Sequence, residues 1–274
     1  MSRLRVLVDP PVLLGARPGA EVEVKGSEAR RLVRVMRVRP GEEVQLFDGR
    51  GRAWNGHVMR VAPGRLAVRL SHPEPEGAGP EPVLRLVLLQ AVPKGDRMEL
   101  ALEKATELGV SEVWPVITKR SVVRPDGSGG RLVRWRRVVE TAARQAGRLA
   151  VPEVRPPLAW DRALLEVTQL GGRWARIVAW EQAEGPLTAV LSRGAAPDLA
   201  GVVMAAGPEG GLTRDEVRLA ESADFEVVSL GPRVLRAETA GWVMLALVQA
   251  WWGDLVGSLA GAGLQARLGA GRSA

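Results

Sequence analysis

The stretch Met204-Ala-Ala-Gly-Pro-Glu-Gly-Gly-Leu-Thr-Arg-Asp-Glu-Val217 sets a glycine-rich turn between an apolar run and a helix that Thr213 can cap, with Glu216 three residues on. Backbone N–H groups at such a junction are free to face a ligand. Phosphate is a poor candidate for it. The loop holds no lysine, it lacks Gly-x-x-x-x-Gly-Lys-Ser/Thr, and Glu209 would add like charge. A ligand with a cationic or hydrogen-bond-donating part suits the loop better. The plainer alternative is a tight turn that uses glycine for positive φ, with Glu209 solvated. A second loop, Leu230-Gly-Pro-Arg-Val-Leu-Arg-Ala-Glu-Thr-Ala240, puts Arg233, Arg236 and Glu238 between a strand end and the next helix. Ligands of open α/β sheets bind outside the carboxyl ends of the strands, so two such loops on neighbouring strands converge on one crevice. An Arg236–Glu238 ion pair that merely pins the loop is the competing reading.

Other chemistries lack their parts. There is no cysteine, hence no disulfide, thiolate nucleophile or cysteine-bound zinc, and two lone histidines, His57 and His72, cannot build a histidine metal site. No tyrosine and no Gly-x-Ser-x-Gly leave acyl transfer without a recognisable nucleophile motif. Gly261-x-Gly263-x-x-Ala266 has no strand before it and is set aside as a dinucleotide fingerprint.

The elements that must carry the two loops follow from pattern. With 274 residues, 46% of them hydrophobic, the chain can bury one large core or two smaller ones. Ser71 to Pro82, SHPEPEGAGPEP, has four prolines and little to bury, and marks residues 72–82 as a linker. Before it, short alternating runs at Leu4–Val8, Glu21–Val24, Glu43–Phe47 and Arg65–Leu70 predict a small β-barrel over residues 1–71. One helix, Ser27 to Val38, interrupts it, with Arg30, Arg31, Arg34 and Arg37 on a face away from Leu32, Val35 and Met36. After it, apolar strands at Leu84–Ala91, Val110–Ile117, Arg176–Trp180, Gly201–Ala206 and Phe225–Leu230 alternate with helical patterns, which predicts an α/β domain over 83–253 with a mainly parallel sheet. Its first helix reads as capped by Asp96 with Glu99 reaching back, and as ended by Gly109. The helix Gly130–Gly147 presents Arg137, Arg144 and Arg148. The helix Ala240–Trp252 is apolar nearly all round and must be covered, a second copy of the chain being the favoured cover. Residues 254–274 read as a disordered tail.

Net charge is +7, and all of it lies at one end: residues 1–70 hold 14 Lys and Arg against 7 Asp and Glu, and the rest hold 24 against 24. That asymmetry is the footprint of a module that meets a polyanion. No signal peptide is expected from the first residues, and the apolar run Gly241–Trp252 is too short to span a bilayer, so a soluble cytoplasmic protein is expected.

Taken together, several segments closely resemble the RsmE family of 16S ribosomal RNA uridine-N3 methyltransferases, in the SPOUT class of knotted methyltransferases. They are KGDRMELALEKATELGVSEVWPV (Lys94 to Val116) with Arg120-Ser121, GPEGG with Glu216, LGPRVLRAETA, and RVMRVRPGEEVQLFDGRG (Arg34 to Gly51). Ala206, Ala237 and Arg144 depart from the family pattern. The resemblance implies a PUA-like β-barrel for RNA contact, an α/β trefoil-knot domain, S-adenosylmethionine (SAM) as methyl donor, no metal, a homodimer, and 16S rRNA of the assembled small subunit as substrate. The implied cofactor loops are Trp180–Glu184, Ala206–Gly211 and Leu230–Ala237. Within them the expected contacts are Trp180, Glu181, Ala206, Gly207, Pro208, Glu209, Gly210, Gly211, Leu230, Gly231, Val234, Leu235 and Ala237. Methylating uridine N3 requires removal of its proton and stabilisation of the resulting anion. Glu238 or Glu209 is expected as the base and Arg236 as the cation. Arg3, Arg5, Arg30, Arg31, Arg34, Arg37 and Arg148 are the expected RNA contacts. The alternatives are a related enzyme that acts on another RNA atom, such as a ribose 2′-hydroxyl, and a non-catalytic RNA-binding assembly factor.

Overall fold

A computed structural model of the chain describes residues 4–122 and 129–255, so Arg3 and the tail from residue 256 lie outside the described residues. By internal contacts the chain divides into two units: Met1–Glu81 with Glu140–Val151, and Pro82–Val139 with Pro152–Ala274.

The first unit is built on five strands, β1 (Leu4–Leu7), β2 (Glu21–Lys25), β3 (Glu43–Phe47), β4 (Ala53–Ala62) and β5 (Arg65–Pro73), in the order β1-β3-β4-β5-β2. β1 and β3 run parallel and the other pairs antiparallel. Alternation turns Val24, Val44, Leu46, Val58, Leu66, Val68 and Leu70 into one core. β4 is the central strand, yet its sequence AWNGHVMRVA hides it behind polar residues. Asn55 is buried there because its Nδ2 donates to Glu74 Oε1 at 2.9 Å and lies 3.0 Å from His72 Nε2. Gly56 is needed because a Cβ would stand 2.6 Å from Arg69 O.

The single helix expected from Ser27 to Val38 takes a different form. After α1 (Pro10–Leu13), α2 (Gly26–Arg30) gives way to a π-helical turn over Arg31–Val35. The wider turn shifts the helical register of its own residues, so Leu32 is fully buried while Val35 and Met36, expected on the buried face, are 71% and 49% exposed. Arg37 then sits at φ 54°, a left-handed backbone uncommon outside glycine.

The second unit holds seven parallel strands: β6 (Arg85–Ala91), β7 (Glu112–Ile117), β8 (Glu153–Val154), β9 (Leu158–Ala159), β10 (Arg173–Ala179), β11 (Leu199–Ala206) and β12 (Glu226–Val228). Their order is β12-β10-β11-β6-β7-β8, with β9 also on β7. Leu86–Leu89 and Val202–Ala206 are fully buried, as strands covered on both faces must be. The unit's helices are α3 (Arg97–Glu107), α4 (Gly130–Gln145), of which the residues from Glu140 on belong to the first unit, α5 (Trp160–Thr168), α6 (Leu187–Leu191), α7 (Arg214–Ser222) and α8 (Ala237–Trp252). None among the described residues is long and apolar enough to cross a membrane.

α3 ends as its sequence predicts. Gly109, at φ 89°, lets its own N–H reach Thr106 O and that of Val110 reach Ala105 O. Its start differs, because Asp96 makes no side-chain cap; Asp96 and Glu99 instead hold Arg134 at 3.4 and 2.6 Å. On β7, fully buried Trp114 donates its indole N–H to Glu112 at 2.9 Å and lies under the Arg155 guanidinium, 3.7 Å from the ring centre. Burial pushes the Glu112 carboxyl up, but the Trp114, Arg85 and Arg155 donors outweigh it and hold the group below its usual range.

Candidate functional site

Strands β12, β10 and β11 are consecutive neighbours and run parallel, so their carboxyl ends emerge side by side. The three loops that leave them enclose a cavity of about 220 Å³, lined by Trp180 and Glu181 after β10, Gly207–Leu212 after β11, and Ser229–Leu235 with Ala237 after β12. Gly207, Gly210, Gly211, Gly231, Pro208 and Pro232 make up a third of that lining. The loops are also tied to one another. Trp180 N donates to Val228 O at 3.0 Å, Trp180 Nε1 to Leu212 O at 3.3 Å, and Leu187 N to Ser229 O at 3.0 Å.

The glycine turn is tight by necessity. Gly211 N donates to Pro208 O at 2.8 Å, Gly211 lies at φ 70°, and a Cβ there would stand 2.6 Å from Glu181 Oε1. The cap read from sequence is present. Thr213 Oγ1 accepts from Glu216 N at 3.3 Å, while Glu216 Oε2 accepts from Thr213 N at 2.8 Å. Glu216 is buried and does more than cap, since its Oε1 also accepts from Lys119 N at 2.6 Å. Beside it Arg120 Nη1 donates to Gly210 O at 2.6 Å, so the loop after β7 braces the glycine turn.

Of the expected cofactor contacts, Trp180, Glu181, Gly207–Gly211, Leu230, Gly231, Val234, Leu235 and Ala237 line the cavity. Ala206 does not, because it is the last residue of β11 and is fully buried in the sheet. Glu209 lines the cavity with its Oε1 already engaged, by Lys94 N at 2.9 Å and Arg97 Nη1 at 3.1 Å. Arg236 and Glu238 are not lining residues. Arg236 is the N-cap residue of α8, exposed, and its guanidinium has no partner among the described residues. Glu238 is 3% exposed in the first turn of α8; Arg97 Nε stands 4.0 Å from its Oε1, and its Oε2 has no hydrogen-bond partner among the described residues. The Arg236–Glu238 ion pair weighed from sequence is therefore replaced by Arg97–Glu238.

Arg97, Lys119 and Arg120 went unread as site residues. Arg97 did leave a signal: it is the first residue of a helix, where the macrodipole disfavours a cation. Such a residue needs acids elsewhere to hold it.

The basic set divides. Arg5 Nε donates to Gln45 at 2.8 Å, its other nitrogens to the backbone of Arg144 and Arg148, and its guanidinium stacks on Phe47. Arg31 is held by Arg5 O and Glu28, and Arg148, 4% exposed, is paired with Glu81 at 2.9 Å. These three serve the first unit's own packing and are withdrawn as contacts for a polyanion. Arg30, Arg34 and Arg37 are exposed around the π-helical turn.

Comparison with known proteins places both units. The RNA methyltransferase domain family matches residues 80–249, and the RNA methyltransferase PUA domain family matches residues 24–71. The ribosomal RNA small subunit methyltransferase E of Synechocystis sp. is 34% identical over 247 residues, which cover 90% of this chain and 77% of that relative. Among solved structures, the protein of that name from Neisseria gonorrhoeae, bound to S-adenosyl methionine, has a TM-score of 0.82 at 31% identity and covers 93% of this chain and 100% of its own. A methyltransferase from Legionella pneumophila, also with bound SAM, has a TM-score of 0.83 at 29% identity and the same coverage.

Proposed function

We propose that this chain, which belongs to the family of ribosomal RNA small subunit methyltransferase E, methylates N3 of one uridine in 16S ribosomal RNA of the small subunit. Membership makes it a SAM-dependent rRNA methyltransferase. The atom, the nucleotide and the assembled subunit are the finer part of the reading. The observation that carries it is the cavity at the ends of β10, β11 and β12, lined by a glycine turn and flanked by the Glu181 and Glu209 carboxylates. That donor set fits SAM: the acids match its ammonium and sulfonium, and the backbone of Leu230, Gly231 and Leu235 suits the edges of an adenine.

Bound there, the cofactor supplies an electrophilic methyl group. The chain supplies the rest. Glu209 accepts two hydrogen bonds on Oε1, which a proton taken up there would weaken, whereas Glu238 accepts none among the described residues, so Glu238 is the acid assigned to the N3 proton. Because Glu238 is buried and outside the cavity lining, the proton travels to it through a water. Arg236, unpaired among the described residues, is placed to stabilise the charge that spreads over the uracil carbonyl oxygens. α8 buries Met244, Leu245 and Val248 and leaves Trp242, Val243, Leu247 and Trp251 half-covered, which supports a homodimer through that face. The enzyme works in the cytoplasm, where its substrate is.

The test is calorimetric titration with SAM, with ATP as control, followed by mass spectrometry of small-subunit rRNA after turnover. A methyl group mapped to ribose in place of uracil N3 removes the finer reading. Gly211→Ala should lower SAM affinity about tenfold, since it strains a left-handed backbone and displaces Glu181, and the same strain, about 1 kcal/mol, should lower the melting temperature by only about 2–4 °C. Replacing Arg30, Arg34 and Arg37 together by Glu should weaken RNA binding at low salt and flatten the log K against log salt slope by about 2, for three phosphate contacts on a single strand. SAM affinity should not change. An unaltered slope would take RNA contact away from this turn.

A further inference from the structure

We infer that Arg97 is a positioning residue that holds the acid of the glycine turn and the buried acid of α8 on one guanidinium, so that donor pocket and proton acceptor are set together. The inference rests on the functional reading above. Arg97 Nη1 donates to Glu209 Oε1 at 3.1 Å and Arg97 Nε stands 4.0 Å from Glu238 Oε1. Among the described residues it is the one cation within ion-pair range of either acid.

Its setting indicates that this is its purpose. As the first residue of α3, a cation gains nothing from its own helix. The acids beside it on that helix, Asp96 and Glu99, are occupied by Arg134. The side chain instead reaches two segments that lie far along the chain and that enter the site from different strands. Glu238 has the greater need of it. Its carboxylate is almost wholly removed from water, and with one oxygen unpartnered it has lost hydration that only a nearby cation offsets. Glu209 has a second donor in Lys94 N, so it keeps a support when Arg97 is lost. The fork geometry of arginine is what lets one side chain serve two acids; a lysine ammonium is a point charge at the end of a flexible stem.

The test compares wild type with Arg97→Ala and Arg97→Lys, reading SAM affinity by calorimetry and turnover on small subunits at saturating SAM. Arg97→Ala should lose about 10²-fold in turnover, the cost of a misplacement near the chemistry, and bind SAM a few-fold more weakly. Arg97→Lys should recover SAM binding through Glu209 and leave turnover low, because Glu238 stays unpaired. Normal turnover in Arg97→Ala overturns the inference. So does a lysine variant that rescues or loses affinity and turnover together in step with its melting temperature, which is the behaviour of a merely structural residue. A wild-type chain that binds no SAM removes the functional reading itself; a working wild type with unaffected variants removes this inference alone.

Discussion

Arg236→Ala is expected to lower turnover on ribosomal RNA by about 10²-fold or more at saturating SAM, while SAM binds as it does to wild type. The size follows from what the residue would do. Deprotonated uracil carries its charge on two carbonyl oxygens, and a donor aimed at charge that develops only during reaction is worth far more than a ground-state contact. The selectivity follows from place. Arg236 sits one residue outside the cavity lining, between Leu235 and Ala237 which both belong to it, and its side chain makes no bond among the described residues that a truncation would break. Its backbone carbonyl accepts from Ala240 N at 3.0 Å and starts α8, which alanine preserves. Steady-state rates with small subunits as substrate, beside calorimetric SAM titration, give the two readouts. Turnover within about threefold of wild type would leave Arg236 without a catalytic role.

The second large effect concerns the brace beneath the glycine turn. Glu216→Ala should cost about 3 kcal/mol of stability, because it strands two backbone donors, Lys119 N and Thr213 N, at about 1–3 kcal/mol each. For a domain of this size that is a fall of roughly 6–12 °C in melting temperature. SAM affinity should fall with it, since the cap of α7 and the Lys119–Arg120 loop together fix Gly210 and Gly211. Thr213→Ala removes only the cap and should cost about 1 kcal/mol. A Glu216→Ala variant that melts with wild type would mean that water takes over both donors.

What could be read from the sequence obeyed rules that are local. The glycine turn was legible because positive φ, a missing lysine and a Thr-x-x-Glu cap are all written in adjacent residues, and the parallel strands because full burial makes continuous apolar runs. β4 was not, since Asn55 and Gly56 look like a turn until Glu74, His72 and Arg69 are brought beside them. The π-helical turn escaped because a single extra residue per turn leaves no mark in a 3.6-residue pattern. Charge type alone could not separate Arg5, Arg31 and Arg148 from Arg30, Arg34 and Arg37, because most of the acids and carbonyls that hold the first three come from distant segments. The same holds for Arg97, whose two acids are supplied by other elements.

The strand order has a consequence for how the molecule comes to exist. β11 lies between β10 and β6, so Met204 has Ile177 on one side and Leu88 on the other, the latter far back along the chain. Parallel pairing across such separations pays its loop-closure entropy before any contact rewards it, and is intrinsically slow. All three cavity loops leave β10, β11 and β12, so the pocket cannot form until that late closure is done. During synthesis the first unit's strands are complete while the pocket's loops are still unmade. In a refolding experiment, recovery of secondary structure should run ahead of recovery of SAM binding, and the delay would time the insertion of β11.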